Sequence, residues 1–327
     1  MTELVAQIAA AFGLAEPTAH TDLSAGWTTN LRLEVPGRGS LIARVHTRTP
    51  ADRLAAIQHA RRVVAAAGIP ALPPISPPDF VQLAGGSLVE LEPYIEWNAK
   101  MNTVPLLEKG FGVLARTHDA LRKSAIPDAG RTAPRANHIA AEDAAEATRR
   151  GAARMRGWGD PVLSRFADRV ERHIDAVSAA ELPLQPAQLR QLGHGDFWDD
   201  NVLFRDGELV ALLDFDFLAE RPRIDDLALT LYFFLLEPGR ALPTAADRAQ
   251  VRRFVAAYDA ATDRPLSAAE RAALPLAIAR QPAWSVGRWI VGLDEPEARE
   301  HAADAIGELP VAQAILAELP QWQDALS

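Results

Sequence analysis

The sequence predicts an α+β chain in two lobes: a small antiparallel sheet with one packed helix, followed by a larger, mostly helical lobe. Residues 13–95 alternate short strand candidates with a single helical segment. Beyond Trp97 the pattern becomes that of long helices, interrupted by one compact run of strand signals. A length of 327 residues suits two such units. We therefore place the first lobe at residues 1–96 and the second at residues 97–327.

The composition is that of an ordinary folded protein, and it disfavours several kinds of function. Hydrophobic residues make up 48% of the chain, charged residues 24%, and the net charge is −9. This acidic balance disfavours binding to nucleic acid or to an anionic membrane, both of which require a basic surface. Because the chain contains no cysteine, disulfides, thiolate zinc sites and a catalytic cysteine are excluded.

The N-terminus lacks the basic start and apolar core of a signal peptide. The longest apolar stretches reach about 10 residues, whereas a membrane helix needs about 20. We therefore expect a cytoplasmic protein, and the sequence leaves its oligomeric state open.

The first lobe is predicted to contain two helices, at residues 3–12 and 51–67, with Gly68 at the position where a helix ends. Its strands are predicted at residues 18–23, 31–35, 41–46, 80–83 and 87–94. Glycines lie in the turns between paired strands, as hairpins require. These elements predict a small antiparallel sheet with one packed helix.

The second lobe is predicted to be helical except around residues 194–213. Helices are expected at residues 104–122, 140–156 and 161–182, and almost continuously from residue 224. Two short strands, at residues 202–204 and 209–213, flank the turn at Asp206 and Gly207. The Pro-rich loop at residues 127–135 is expected to be a surface excursion.

The residues that indicate chemistry lie in a polar loop, HGDFWDDN at residues 194–201, and in the triplet DFD at residues 214–216. A hairpin returns its end to its beginning, so Asp214 is expected close to Asn201. Carboxylate and amide oxygens are the ligands that Mg²⁺ prefers, and Mg²⁺ takes its other ligands from water and phosphates. Asp196 is then free to accept a proton from a hydroxyl group. This layout is typical of phosphoryl transfer to an alcohol.

Here the sequence resembles a known family. HGDFWDDNVLF followed by LLDFDF is similar to the signature motifs of the aminoglycoside phosphotransferase and choline kinase superfamily. The segment PRIDDLA, at residues 222–228, resembles the family segment that follows the metal motif. The order of elements is similar from about residue 18 to about residue 305. The resemblance implies a bilobal protein-kinase-like fold, with ATP as phosphoryl donor and Mg²⁺ as cofactor.

The resemblance also implies a role for each residue of the two motifs. Asp196 would be the catalytic base or would orient the acceptor hydroxyl, and Asn201 and Asp214 would hold Mg²⁺. Asp216 would be a possible auxiliary ligand, and His194 would support the loop. The first lobe would then bind the nucleotide, and the second would contain the catalytic loop and the acceptor site.

The nucleotide lobe matches the family less closely. Arg44 occupies the strand position where a phosphate-binding lysine is expected, and arginine is bulkier than lysine. The next helix has Asp52 only at its start and Gln58 and His59 in its interior, so an acidic partner for that cation is missing.

Other residues of the first lobe are expected to contact the nucleotide. The loop that would hold the phosphates offers Gly26, Thr28 and Thr29, whose amides and hydroxyls suit phosphate. Residues 89–95 (VELEPYI), with Glu90 and Glu92, resemble the hinge whose backbone usually holds the adenine. The departures leave two hypotheses open: an active kinase with a modified nucleotide lobe, or a catalytically weak or inactive nucleotide-binding protein.

The acceptor pocket is expected among the C-terminal helices. Trp284 and Trp289 with Tyr232 would suit a quaternary ammonium group, or they pack as helix core. Arg280 and Arg288 would instead suit a carboxylate. The acceptor classes compatible with the sequence are therefore amino alcohols, homoserine-like amino acids, sugars and antibiotics. A protein hydroxyl acceptor and an Asp–metal hydrolase are weaker alternatives, since no peptide-docking feature and few metal ligands are visible.

Overall fold

A computed structural model of the chain describes residues 1–24, 28–75, 77–133, 137–236 and 242–327. It confirms the predicted fold class: an antiparallel sheet with packed helices, followed by a mostly helical part. The division of the chain at residues 96 and 97 remains a prediction. Within the described residues, none of the helices has the length and apolar content needed to cross a membrane.

Within the described residues the N-terminal sheet has five antiparallel strands, in the order β1-β2-β3-β5-β4. Its strands are β1 (Ala19–Asp22), β2 (Thr29–Val35), β3 (Gly39–His46), β4 (Val81–Gln82) and β5 (Leu88–Pro93). Helix α1 (Thr2–Ala11) packs on one face through Val5 and Ile8, which join the apolar side chains of the strands. Helix α2 (Ala51–Ala66) lies on the opposite face, which carries charged side chains.

The alternation of side chains along β3 and β5 explains why the two faces of the sheet differ. Arg44 and Glu90 are directly paired across the two strands and point to the same face. Their neighbours Ala43 and Leu91 point to the apolar face that α1 covers. A strand has a side-chain period of two, so one pair of strands presents charge to the cleft and apolar groups to the core.

The C-terminal part contains two small sheets, of which the sequence predicted one hairpin. Its strands are β6 (Ala99–Lys100), β7 (Arg190–Gly193), β8 (Val202–Arg205), β9 (Glu208–Leu212) and β10 (Ala219–Pro222). They pair in the orders β6-β8-β9 and β10-β7. Strands β8 and β9 form the predicted hairpin, whereas β6, β7 and β10 pair with strands distant in the sequence and have no hairpin turn to indicate them.

Helices make up the remainder of the described C-terminal part. They are α3 (Val104–Arg122), α4 (Ala141–Gly157), α5 (Pro161–Glu181), α6 (Ile224–Leu235), α7 (Ala245–Ala261), α8 (Ala268–Ala279), α9 (Pro282–Trp284), α10 (Ile290–Gly292), α11 (Glu295–Ala317) and α12 (Leu319–Leu326). A π-helical turn, Ser285–Trp289, joins α9 to α10. A large apolar core formed chiefly by α3, α6, α7 and α8 supports the hairpin and the loop before it.

Candidate active site

The loop at residues 194–201 is held from beneath by a buried carboxylate. Asp226, in the first turn of α6, accepts the backbone N–H groups of His194 (2.7 Å) and Gly195 (2.8 Å). It also bonds His118 Nε2 at 2.9 Å. Although burial opposes ionisation, the hydrogen bond from His118 and the nearby ring of His138, whose Nε2 lies 3.6 Å from Oδ1, hold the pKa of Asp226 well below its usual range. Asp226 therefore anchors the start of the loop as a buried anion.

Gly195 is required where the loop turns. Its φ is +86°, and a Cβ there would lie 2.3 Å from the carbonyl oxygen of Phe217. A side chain would therefore be strained by the backbone angle and would also clash with backbone. The close approach brings the loop against the segment that contains Asp214 and Asp216.

His194 connects this loop to the strand end before Asp214. Its Nε2 lies 2.9 Å from the carbonyl oxygen of Leu213, and its Nδ1 accepts the backbone N–H of Asp196 at 3.2 Å. Because a carbonyl can only accept, Nε2 carries the proton and the ring is neutral. Burial lowers the pKa of His194 to about 4, consistent with this neutral form.

Asp196, the expected catalytic base, is 7% exposed and lies beside Asn201, as the spacing predicts. The side-chain amide of Asn201 donates to Asp196 Oδ2 and to its backbone oxygen, both at 2.8 Å. Asn137 donates to Asp196 Oδ1. Burial, and after it the nearby charge of Asp214, raises the pKa of Asp196 to about 8. A carboxylate with a raised pKa is a stronger proton acceptor than a free one.

Asp214 and Asp216 follow β9 and face the sheet of the first lobe. Arg44 Nη2 lies 3.0 Å from Asp216 Oδ2 and 3.4 Å from Asp214 Oδ1. Thr28 Oγ1 also donates to Asp216 Oδ2, at 3.1 Å. Arg44 and Thr28, predicted to contact the nucleotide, therefore meet the predicted metal motif across the cleft.

The oxygen donors of this region suit a hard cation. Asp216 Oδ1 is buried and has no hydrogen-bond partner among the described residues. The amide nitrogen of Asn201 faces Asp196, so its Oδ1 is the atom available to a cation near Asp214. The described residues contain no group of three or more His, Cys, Asp or Glu side chains arranged around a metal. Asn201 and Asp214, with Asp216 beside them, fit Mg²⁺, which binds few protein ligands.

Arg44 belongs to a buried ion network whose partners the sequence analysis missed. Its Nη1 lies 3.6 Å from Glu92, and Arg61 of α2 lies 2.5 Å from Glu92 and 2.9 Å from Glu90. Gln58 donates to Glu90 at 2.9 Å. The helix therefore supplies a cation and the strand supplies the acids. Arg61 lies three residues after Gln58, on the same face of α2. This spacing could have predicted that Arg61, like Gln58, faces the sheet.

The same network engages the side chains of both glutamates of the hinge segment, whose expected contact with a nucleotide through the backbone stays a prediction. The Glu90 side chain is fully buried, lines neither cavity of the cleft and is bonded by Gln58, Arg61 and His46. Its carboxylate therefore joins α2 to the sheet, on the same face of the sheet as Arg44. Glu92 lines the cleft, although its carboxylate is paired with Arg44 and Arg61.

Two cavities meet in the cleft. The first, of about 230 Å³, lies between the sheet and the C-terminal part, and its lining includes Arg44, residues 92–95, Asn201 and Asp214. Thr29 begins β2 and pairs with Val45. Gly26 lies outside the described residues. The first cavity thus joins the hinge segment to the predicted metal ligands.

The second cavity, of about 490 Å³, holds Asp196 and has an aromatic wall. Its lining includes Asp214 and Asp216 on one side and Phe233, Trp284 and Trp289 on the other. Asp214 lines both cavities, so the two meet at the predicted metal ligand. The aromatic wall leads away from Asp196 into the C-terminal helices.

The π-helical turn shapes this wall. Trp284 precedes the turn and Trp289 ends it, and their rings meet edge to face with centroids 5.1 Å apart. In an α-helix, residues five apart diverge, whereas a π-turn brings i and i+5 together. Tyr232 lies in an adjoining cavity of about 240 Å³, where its hydroxyl is 3.3 Å from Glu308.

The arginines expected as an alternative carboxylate site do not line the second cavity. Arg280 is buried and paired with Glu181 at 2.9 Å and with Asp225 at 2.6 Å. Arg288 is exposed and lies outside the cavity lining. Neither side chain therefore reaches the second cavity, and the guanidinium of Arg280 is neutralised within the core.

The chain resembles one protein family and a group of curated kinases. The model of a phosphotransferase enzyme family matches residues 20–269. A homoserine kinase of Acidiphilium cryptum is 34% identical over 149 residues, which is 42% of this chain and 44% of that protein. A homoserine kinase of Phenylobacterium zucineum is 35% identical over 124 residues, 36% of each chain. The matches thus span less than half the length of these curated relatives.

Solved structures share the fold over the full chain. A microcompartment-associated aminopropanol kinase superposes with a TM-score of 0.68 at 16% identity, covering 97% of this chain and 98% of that one. An amicoumacin kinase, solved in complex with AMP-PNP, Ca²⁺ and Ami, superposes with a TM-score of 0.65 at 16% identity, covering 98% of this chain and 93% of that one. At this identity the likeness is one of fold alone.

Proposed function

The chain belongs to the phosphotransferase enzyme family, and on that premise we propose that it transfers the γ-phosphoryl group of ATP to a hydroxyl group of a small molecule. One observation carries the proposal: a hinge-lined cavity and an aromatic cavity meet at Asp214, with Asp196 in the second. Such an arrangement lets a donor phosphate and an acceptor hydroxyl approach each other from opposite sides.

The nucleotide occupies the first cavity, with its base near residues 92–95 and its phosphates toward Arg44 and Thr28. The guanidinium of Arg44 suits phosphate oxygens, which it can bind bidentately. Asn201 and Asp214 would hold Mg²⁺, which would supply positive charge near the phosphate oxygens. Gly26 and Thr29 remain candidates for contacts with the phosphates.

Asp196 orients the acceptor hydroxyl and takes its proton. The oxygen of the acceptor forms a bond to the γ-phosphorus while the bond to the bridging oxygen of ADP breaks. The proton of the hydroxyl passes to Asp196, and ADP leaves with the electron pair of the broken bond. The two amide donors, Asn201 and Asn137, fix the carboxylate so that positioning contributes to the rate.

The acceptor is a small hydroxyl compound bound against the aromatic wall. The homoserine kinase matches make homoserine the first compound to test, followed by amino alcohols, sugars and antibiotics. The carboxylates Asp304 and Glu308 line the adjoining cavity beside Tyr232, and this favours acceptors that carry an amine. Neither Arg280 nor Arg288 lines the second cavity, but Arg48 does, so a carboxylate on the acceptor would meet a different arginine from the two expected.

A nucleotide-binding protein with little or no turnover is the second candidate. The observation in its favour is that Arg44, in place of the expected lysine, is surrounded by Glu92, Asp214 and Asp216. A phosphate would have to compete with these carboxylates for the same guanidinium.

The experiment is an assay of ADP release with homoserine and the acceptor panel, with the phosphorylated product identified by mass spectrometry. We expect turnover in the wild type and a loss of about 10²- to 10⁴-fold in kcat for Asp196→Asn, which removes the base but keeps the shape. Asp206→Asn, at the exposed hairpin turn, is the matched control and should keep full activity.

Two outcomes would contradict the proposal. Undiminished turnover in Asp196→Asn would remove Asp196 from the mechanism. ATP binding without any phosphorylated acceptor across the panel would favour the second candidate.

A further inference from the structure

Asn137 follows the loop at residues 127–135, which was expected to be a surface excursion, and it contacts Asp196. The side-chain amide of Asn137 donates to Asp196 Oδ1, the oxygen that Asn201 does not contact. Asn137 also lines the second cavity. Each oxygen of the catalytic carboxylate therefore accepts one amide donor, and the two donors come from different parts of the chain.

The segment that carries Asn137 is anchored on both sides. Before it, Arg53 of α2 donates to the carbonyl oxygen of Thr132 at 2.9 Å and, through its other nitrogen, to that of Asp216 at 2.9 Å. After it, the guanidinium of Arg280 donates to the carbonyl oxygen of Ile139. Both arginines are buried. Their contacts tie this segment to the metal-motif loop and to the helical core.

Two amide contacts restrain a carboxylate more than one does. Asn201 alone holds Oδ2 and leaves the plane of the carboxylate free to rotate about the Cβ–Cγ bond. A second donor on Oδ1 opposes that rotation, and the lone pair that faces the acceptor then has a defined direction. Small errors in the alignment of a base with its hydroxyl are costly, about 10²-fold for a displacement of 1 Å.

We propose that Asn137 is a positioning residue that fixes the carboxylate of Asp196 toward the acceptor hydroxyl. The inference rests on the proposed phosphotransferase function, since Asn137 acts through Asp196. Asn137 would thereby contribute to catalysis, whereas Thr132 and Ile139 on either side of it contribute backbone contacts to Arg53 and Arg280. Asn137 donates through its side chain, so removal of that side chain leaves the anchoring contacts of Arg53 and Arg280 in place.

The kinetic test compares Asn137→Ala with Asn98→Ala. Asn98 also donates to an aspartate, Asp206, at 2.9 Å, and neither residue lines the two cavities of the cleft, so it controls for the loss of an Asn–Asp contact as such. We expect Asn137→Ala to lower kcat about 10- to 100-fold, with the KM for ATP and the melting temperature unchanged. Asn98→Ala should keep the wild-type kcat.

Asn137→Ser, which keeps a shorter donor, should recover part of the lost kcat. It also serves as the second variant if Asn137→Ala does not fold. A wild-type kcat in folded Asn137→Ala would overturn the inference. A rise in the KM for the acceptor with kcat unchanged would also overturn it, because Asn137 would then be an acceptor-binding group.

An NMR measurement separates this inference from the proposed function, because it needs no turnover. The side-chain amide protons of Asn137 should resonate downfield in the wild type and move upfield in Asp196→Ala, but not in Asp206→Ala. If these protons do not respond to Asp196→Ala, the positioning contact is absent. If they respond but no acceptor is phosphorylated, the contact stands and the proposed function fails.

Discussion

Both ring nitrogens of His194 have partners, and only a neutral ring satisfies them together. Nε2 donates to the carbonyl oxygen of Leu213, and Nδ1 accepts the N–H of Asp196. A proton on Nδ1 would place two N–H groups against each other inside the protein. The ring therefore couples the position of the catalytic residue to the strand end before Asp214, and this coupling depends on its charge state.

The charge state of His194 predicts how stability changes with pH. Burial lowers its pKa to about 4 in the folded protein, against 6.5 for a free histidine. As the pH falls below about 6.5, the unfolded chain binds a proton that the folded protein does not. His194 thus contributes stability that is fully present above about pH 6.5 and is lost as the pH falls toward 4, by about 3 kcal/mol in all.

Urea unfolding at pH 7.5 and pH 5 measures this effect. We expect His194→Gln to show a smaller loss of unfolding free energy between these pH values than the wild type, by about 2 kcal/mol. His20→Gln, at an exposed position, should retain the wild-type loss. Identical losses in the wild type and His194→Gln would show that the imidazole does not stay neutral in the fold.

At the scale of elements, the charges of α2 and β5 differ from those that the resemblance implied. The family pattern predicts an acid in the helix opposite a cation in β3. Here the helix carries Arg61, and β5 carries Glu90 and Glu92, which pair with it across a buried interface. Arg44 then shares Glu92 with Arg61. The sheet and the helix are held together by an ion network instead of a single pair.

Two neighbouring arginines of α2 give a matched test of this network. Arg61 is 2% exposed in its side chain, whereas Arg62 is 38% exposed and pairs with Asp79 at 2.6 Å. Removing one partner of a buried pair leaves uncompensated charge, so Arg61→Ala should lower the free energy of unfolding by about 3 to 5 kcal/mol. Arg62→Ala should cost about 1 kcal/mol or less.

Urea unfolding at neutral pH provides the measurement for both variants. Equal losses for Arg61→Ala and Arg62→Ala would mean that the buried network contributes no more than an exposed ion pair. That result would also mean that pairing with Arg61 does not explain how β5 accommodates the buried carboxylates of Glu90 and Glu92.

At the scale of the whole molecule, the cleft between the sheet and the helical part brings Arg44 together with several carboxylates. Arg44 comes from the sheet, and Asp196, Asp214 and Asp216 come from the C-terminal part. A nucleotide with Mg²⁺ would contact both sides at once. Binding of the nucleotide at this cleft should therefore raise the free energy of unfolding of the whole chain.

Thermal melts with ATP, with and without Mg²⁺, test this expectation. A ligand at about 100 times its Kd stabilises by about 2.7 kcal/mol, which corresponds to a rise of about 4 °C in Tm for a chain of this length. We expect a rise that depends on Mg²⁺ and is reduced in Asp214→Asn but retained in Asp206→Asn. If Asp214→Asn kept the full Mg²⁺-dependent rise, the proposed metal site would be wrong.

Local pattern was enough to predict much of the fold. The hairpin of β8 and β9 and the strands of the N-terminal sheet follow from alternation and turn residues, and the structure confirms them. Strands β6, β7 and β10 escaped prediction because they pair with strands that are distant in the sequence, so no hairpin turn beside them indicates a strand. The contact of Asn137 with Asp196 was not predicted, because the two residues lie far apart in the sequence.

The sequence alone determined the fold class, the family and the motif residues of the site, because each depends on spacing within one segment of chain. The roles of Asp196, Asn201 and Asp214 remain predictions that their proximity supports. Only the tertiary structure decided which side chains meet across segments: Arg61 with Glu90, Asp226 with the backbone of Gly195, and Asn137 with Asp196. Such contacts join residues tens of positions apart, and their partners are set by packing, which no local pattern records.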